Sequence, residues 1–340
     1  MKCLRPNYLR DFQCDGQQCS SRCCRNWRVV IDGDTHKKFL ALDDHNIIDH
    51  IVDDQNGLTV KLKPNGDCPF LDCDLLCSIQ KSYGEDHLAA ICQAYPRVTY
   101  QLNDMLEQSL TLTCPVAARL ILLSTEPINF ETVEIDRPRF TFDWSNRVND
   151  IDEPVELQLN CIRLLQDRSL DIDKRLLNLC RLFNEPAVEP KPFDVDKHVD
   201  IMINIFEQTY SIEMSNAKRL GLKKIYIELR AEIIEQLRRG SVLENYLVNE
   251  FFMRCYPFAL DHDLWRSCRI FIVGFKAMEF ALVLNVISKG GRISVDELLS
   301  MIDAINERLD HHRGGMTAVN QSAQNLDGFD EFAAAMLDTN

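Results

Sequence analysis

Residues 262–297, HDLWRSCRIFIVGFKAMEFALVLNVISKGGRISVDE, decide how this chain folds. Ile270 to Ile287 is the most apolar stretch of the sequence, yet it carries Lys276, Glu279 and Asn285. Polar and ionisable side chains are costly inside a bilayer, so the run reads as a buried core helix and no transmembrane segment is expected. Gly290-Gly291 ends that helix, and Ser294-x-x-Glu297 opens the next as a capping box. Upstream, Gly240 followed by Ser241-x-x-Glu244 repeats the device.

Working outward, apolar periodicity predicts helices over 157–166, 172–183, 195–210, 217–239, 242–252, 262–288 and 295–311. Short loops between them make neighbours antiparallel. Asn184 to Phe193, with three prolines, reads as a stiff linker. His311-His312 beside Gly314-Gly315 reads as a helix C-terminus, and Leu326 to Leu337 as one more helix docked on the body. Toward the N-terminus, a short helix from Val116 to Leu123 gives way to a stretch with Pro127, Pro138 and Pro154, in which Phe140, Phe142 and Trp144 alternate as in a strand. Strand-like alternation also occurs at Trp27 to Ile31 and Leu58 to Leu62. The expected fold is mainly α. An N-terminal cysteine-rich α+β metal-binding module (1–125) leads through a connector (126–152) to an α-helical domain (153–340), whose role as the binding domain for a protein substrate is an expectation that rests on the resemblance given below.

A chain of 340 residues, 46% hydrophobic and 26% charged, suits two globular domains and excludes disorder. Its net charge of −14, from 38 basic and 52 acidic residues, argues against nucleic acid and anionic membranes as partners. The start MKCLRPNYLRDFQC lacks the apolar region of a secretory signal, so a cytoplasmic location is expected.

Ten of the 14 cysteines lie within residues 1–114. In a reducing compartment such density suits thiolate ligands better than disulfides. Cys14-x4-Cys19-x3-Cys23 and Cys68-x4-Cys73-x3-Cys77 repeat one spacing, and turn signals such as Asn65-Gly66-Asp67-Cys68-Pro69 let loops aim several thiolates at one point. No Cys-x2-Cys pair of the zinc-finger kind occurs, so an iron–sulfur cluster leads and zinc is the alternative. The Cys-x3-Cys-x2-Cys spacing of radical enzymes is missing, with Asn26 and Gln80 where its third cysteine belongs, and there is no Gly-x-Gly-x-x-Gly turn. Cys161, Cys180, Cys255 and Cys268 sit in apolar periodic segments and read as small core residues. His45, His50 and their neighbouring aspartates form an acidic run read as a solvated helix face.

Tyr8-Leu-Arg-Asp-Phe-x-Cys14, Cys19-x3-Cys23-Cys24-x2-Trp27, Cys68-Pro-Phe-Leu-Asp72, Leu76-Cys77-Ser-Ile79, Cys92-x2-Tyr95-Pro96-Arg97 and Cys114-Pro115 follow one another in order. This series, over about residues 5–120, resembles the flagellin lysine-N-methylases, within a broader group of cysteine-rich zinc- or iron-chelating proteins. The resemblance implies a cytoplasmic enzyme that moves a methyl group from S-adenosylmethionine to lysines of flagellin and holds a [4Fe-4S] cluster. Its candidate ligands are Cys14, Cys19, Cys23, Cys24, Cys68, Cys77, Cys92 and Cys114, of which a cubane takes four. Cys3 and Cys73 fall outside the family pattern. Two readings compete with it: a non-catalytic zinc- or iron-chelating binding protein, and a thiol redox protein, which the missing Cys-x-x-Cys pairs disfavour.

Lysine methylation needs a neutral amine, whereas a free lysine with a pKa of about 10.4 is almost wholly charged at pH 7. An apolar, partly aromatic pocket with a carboxylate or tyrosinate nearby would lower that pKa. Tyr95 and Arg97 are candidate cofactor-binding residues. Proline ends a helix there, and the guanidinium of Arg97 offers paired donors to a carboxylate such as that of the methyl donor, or forms a structural salt bridge. Trp27 either walls the cluster or packs in the core.

Overall fold

The computed structural model describes all residues except 17, 18, 20, 185–190, 261, 262, 312, 327 and 340, and of 309–311 and 313–315 the backbone alone. The chain divides into two compact units, one of residues 1–120 and 130–143, the other of 121–129 and 144–340.

The first unit carries seven strands: β1 (Lys2–Pro6), β2 (Ile51–Asp54), β3 (Gly57–Val60), β4 (Arg97–Leu102), β5 (Met105–Leu110), β6 (Phe130–Glu134) and β7 (Phe142–Asp143). Five of them form a sheet in the order β6-β1-β5-β4-β7, with β1 parallel to β5, β4 parallel to β7 and the other pairs antiparallel. Asn103, at φ 55°, makes the tight turn between β4 and β5. The central β5 is buried almost throughout, as a strand covered on both faces must be. Residues 130–143, expected within the connector, instead give the sheet both of its edge strands. Of the strand expected at 27–31, only an isolated bridge from Val30 to Thr59 forms, because β3 already pairs with β2.

Short helices α1 (Gly33–Leu42), α2 (His45–Ile48), α3 (Ser78–Tyr83) and α4 (Ala90–Ala94) accompany the β2–β3 hairpin. Their core gathers Val29, Ile31, Phe39, Val60, Phe70 and Ile79 together with Cys68, and Cys24, Cys77 and Cys92 pack against it. In α2 only Ile47 is buried, while His45 and Asp49 face solvent 3.9 Å apart. The next helix, α5 (Pro115–Leu122), runs across the division between the units.

The second unit is helical: α6 (Pro154–Leu165), α7 (Ile172–Phe183), α8 (Val195–Tyr210), α9 (Asn216–Arg238), α10 (Val242–Met253), α11 (Leu264–Ser288), α12 (Val295–His311), α13 (Arg313–Asn325) and α14 (Phe329–Met336). α11 is long and apolar enough to cross a membrane, yet most of it is buried among α7, α8, α9, α12, α13 and α14. An all-round apolar helix belongs at the centre of a core, and this one is there. Cys161, Cys180, Cys255 and Cys268 are fully buried in the same unit. α14 docks inside the unit, with Phe332 buried and its ring 5.6 Å from that of Trp265.

One capping expectation failed here for a tertiary reason. Ser241 does not cap α10: its hydroxyl donates to the Ser124 carbonyl, and Glu244 turns instead to Arg168 and Arg175, both at 2.8 Å. At Ser294 the capping box does form, with the serine N–H donating to Glu297 at 2.8 Å and the Glu297 N–H to the serine hydroxyl at 3.3 Å. As expected, α12 ends at His311; what the sequence did not announce is a further helix, α13, that starts at Arg313, runs through Gly314-Gly315 and buries Ala318, Val319 and Ala323. His312, and six residues of the linker read over 184–193, lie outside the described residues.

Lys276 and Glu279, which mark α11 as no membrane span, belong to a buried four-charge network. Lys276 pairs with Asp173 and, at 3.0 Å, with Glu279; Arg238 donates to Asp173 at 2.8 Å and to Glu279 at 2.9 Å. Opposite charges hold Glu279 ionised, and its pKa falls to about 2 against the cost of burial.

Candidate metal centre

All 14 cysteines are free. The eight candidate ligands fall into two groups. Cys24, Cys77 and Cys92 pack against a core that contains Cys68, and the Cys23 sulfur lies 3.9 Å from that of Cys24, which makes one neighbourhood of five thiols. Cys114 feels charge on Cys19 and Cys14 instead. Cys73 is exposed and Cys3 is buried against β5, and neither joins a group. The doubled spacing in the sequence therefore does not translate into equivalent positions.

Three chain segments build the group of five, and local chemistry aims each one. Residues 24–26 lie antiparallel to 66–68: the Cys68 N–H donates to the Cys24 carbonyl at 2.8 Å, the Asn26 N–H to the Gly66 carbonyl at 2.9 Å, and Arg25 pairs with Asp67 at 3.1 Å. Gly66 sits here at φ 85°, a conformation in which an L side chain is strained. A β-carbon on it would stand 1.9 Å from the Asn26 side-chain oxygen. Asp72 then closes the loop by accepting from the N–H groups of Asp74 and Leu76 at 2.9 and 3.0 Å, which returns Cys77 alongside Leu71. Cys92 rides on α4, whose first N–H, from Ala90, donates to the Asp32 carboxylate at 3.0 Å.

Asp32 had no signal in the sequence as a site residue, and it is a hub. It caps α1 through the Thr35 N–H at 3.0 Å, reaches α4 as above, and pairs with Arg139 at 3.1 Å. Arg139 also donates to the Leu88 carbonyl and to Gln93, so it ties the segment before β7 to the cysteine-bearing helix. Although partial burial works the other way, these donors hold the Asp32 carboxyl at about 2.

Burial pushes the Cys68 thiol up to about 11 and raises Cys77 and Cys92 as well. Cys23 differs. Its sulfur lies 3.9 Å from that of Cys24, and the hydrogen bond from Cys24 pulls it down to about 7 while Cys24 moves up. In the second group burial pushes Cys114, at the start of α5, up to about 11. Cys14 accepts from the Gly16 N–H at 3.4 Å, and Cys19 donates to the Gly16 carbonyl at 3.2 Å.

Trp27 takes the packing role of the two expected for it. It packs against the apolar core, and its indole N–H donates to the Cys23 carbonyl at 2.8 Å, fixing that thiol's backbone. Its ring lies 5.8 Å from that of Tyr95, which follows α4. Arg97 opens β4 in an exposed position with its guanidinium 5.4 Å from the centre of the Phe12 ring, and among the described residues it has no ion pair.

Among the described residues no three His, Cys, Asp or Glu side chains stand together as a ready site for one ion. The donor set of the larger group nonetheless fits a thiolate-bound centre: it is all sulfur, it comes from three segments, and it is half-buried behind an apolar shell. Buried neutral thiols must lose their protons to bind, so metal affinity at this place is expected to weaken as pH falls.

Of the comparisons with known proteins, the family model falls in the other unit. A model of the FliB lysine N-methylase C-terminal domain matches residues 191–337. The chain is 34% identical over 126 residues to the lysine-N-methylase of Salmonella typhimurium, covering 34% of this chain and 31% of that protein. It is equally identical over 126 residues to the flagellar biosynthetic protein FliU of Salmonella muenchen, covering 75% of it, and to the lysine-N-methylase of Salmonella choleraesuis, covering 31%. The matched stretch thus spans less than a third of the two lysine-N-methylases. No solved structure matches the chain.

Proposed function

The chain belongs to the lysine-N-methylase family of FliB and FliU, and from that premise we propose that it transfers a methyl group from S-adenosylmethionine to lysine side chains of flagellin, with an iron–sulfur cluster in its cysteine-rich unit. The observation that carries the metal part of this reading is the gathering of Cys23, Cys24, Cys68, Cys77 and Cys92 from three distant segments. Cys23, Cys68, Cys77 and Cys92 would hold the cluster, with Cys24 as a hydrogen-bonding neighbour of Cys23. When bound, such a cluster cross-links the three segments and gives a small core the rigidity that its short helices do not supply.

In the reaction the lysine nitrogen uses its lone pair to form the N–CH3 bond while the S–CH3 bond breaks. The sulfonium becomes the neutral thioether S-adenosylhomocysteine, and the extra proton on nitrogen passes to a base or to water. The amine must be neutral at the moment of attack, so the protein has to exclude water from it.

The reading is tested in cells. Flagellin from a strain carrying the gene gains 14-Da increments on lysine that are missing when the gene is deleted. Unchanged flagellin mass would sink the reading. Bound metal in the purified protein without methyl transfer would point to the chelating binding protein instead.

A further inference from the structure

The helical unit contains a cleft of about 460 Å³ that the thiol chemistry does not use. That volume lies in the range of about 300–1,000 Å³ that receives drug-sized molecules. One wall is a single face of α9, where Tyr226, Arg230, Ile234 and Arg238 recur every fourth residue. The floor is the four-charge network of Asp173, Arg238, Lys276 and Glu279. Phe193 gives an aromatic surface, with the Arg230 guanidinium 5.1 Å from its ring centre.

Two features of the lining call for a ligand. Tyr226 is 1% exposed and lines the cleft, yet among the described residues its hydroxyl has no hydrogen-bond partner. That hydroxyl borders the cleft, where a ligand that accepts from it would give it a hydrogen-bond partner. Arg230, largely buried, is paired with Asp338 at 3.0 Å. Asp338 lies two residues beyond α14, outside regular helical structure, and its carboxylate holds Arg230 where it faces the cleft.

Carboxylates and cations line the cleft in nearly equal number, which disfavours both a polyanion and a polycation. A lone lysine ammonium would leave most of the volume empty. A molecule with its own carboxylate, its own positive charge and an aromatic base matches size, charge balance and aromatic surface together. We propose that this cleft is the methyl-donor pocket, in which Arg230 takes the carboxylate of an adenosyl amino acid in place of Asp338, and the Tyr226 hydroxyl donates to the same ligand. The proposal rests on the methyltransferase reading, and it places the donor here rather than at Arg97.

The test is calorimetric titration of the full chain with S-adenosylhomocysteine, which binds without reacting. Arg230→Ala is expected to weaken binding by about tenfold to a hundredfold and Tyr226→Phe by a few-fold, the usual cost of losing a charge-assisted and a neutral hydrogen bond. Asp338→Ala, which frees Arg230, is expected to tighten binding, a result that general destabilisation does not produce. Arg97→Ala and Cys68→Ala are expected to leave the affinity as it was. Undiminished binding by Arg230→Ala, or loss of binding in Arg97→Ala or Cys68→Ala, overturns the proposal. If flagellin is methylated in cells while the Arg230 variant binds normally, the pocket is wrong and the methyltransferase reading stands. If the unaltered protein neither binds the ligand nor methylates flagellin, both fall.

Discussion

The two units solve the same problem, keeping a core intact around polar groups, by opposite means. The helical unit has long helices, apolar rings such as Phe251, Phe271 and Phe280, and charges that neutralise one another in place, Lys276 and Arg238 against Asp173 and Glu279. The first unit packs helices of 4–10 residues around half-buried thiols that have one another as polar neighbours. One core is complete as folded, and the other, on the proposed function, is completed by a metal cross-link. A methylene-rich interior tolerates four paired charges because each has a partner, whereas a set of neutral thiols gains its full value only once deprotonated and bound.

If the proposed metal is bound, its removal gives the largest contrast. Chelation of the purified protein should cost the first unit on the order of 10 kcal/mol of binding-derived stability. Hydrogen exchange would then show the β4–β5 amides losing protection while those of α11 keep theirs; equal loss in both would erase the distinction between the units. Next in size is Lys276→Met, which leaves two buried carboxylates to one arginine and should destabilise the helical unit by about 3–5 kcal/mol. Thermal unfolding followed by tryptophan-independent circular dichroism at helical wavelengths reads it, and an unchanged melting temperature would show that the network is not the helical unit's polar keystone.

pH sharpens the same contrast. His198 is fully buried, with its Nδ1 2.9 Å from the Ala335 carbonyl; burial first, then the charges of Lys276 and Arg230, push its pKa down to about 3 despite the nearby Glu279. A lowered histidine pKa means the unfolded chain takes up the proton first. Stability is therefore full above the unfolded value of about 6.5 and declines as pH falls toward about 3, by about 1.4 kcal/mol per pH unit. Urea unfolding at pH 7 and pH 5 should differ by roughly 2 kcal/mol from this group, and His198→Gln should flatten that slope. Smallest is Gly66→Ala. The positive φ and the collision with Asn26 should cost the first unit roughly 1–2 kcal/mol and lower its metal content. Iron or zinc analysis equal to that of the unaltered protein would mean that the pairing of residues 24–26 with 66–68 does not position the thiols.

Much of the helical unit was legible. Ile172–Phe183, Val195–Tyr210 and Val295–His311 have the bounds that their periodicity predicts. The failure was at Ser241, where a residue's local preference met a stronger tertiary partner, and the helix α13 after His311 went unannounced. In the first unit the list of sulfurs was legible and their grouping was not, since neither spacing nor motif order reports that Cys114 sits with Cys14 and Cys19. Asp32 and Arg139 were invisible for the same reason. They are 107 positions apart, and nothing local marks either one.

By itself the sequence determined that this is a mainly helical chain with a thiol-rich beginning, because periodicity and composition act through near neighbours along the chain. Only the tertiary structure decided which thiols face one another, which charges Lys276 and Glu279 find, and that Arg230 and Tyr226 line one cleft. Those outcomes depend on segments that meet across 40 to more than 100 residues, and proximity of that kind is set by packing and burial, which no local pattern encodes.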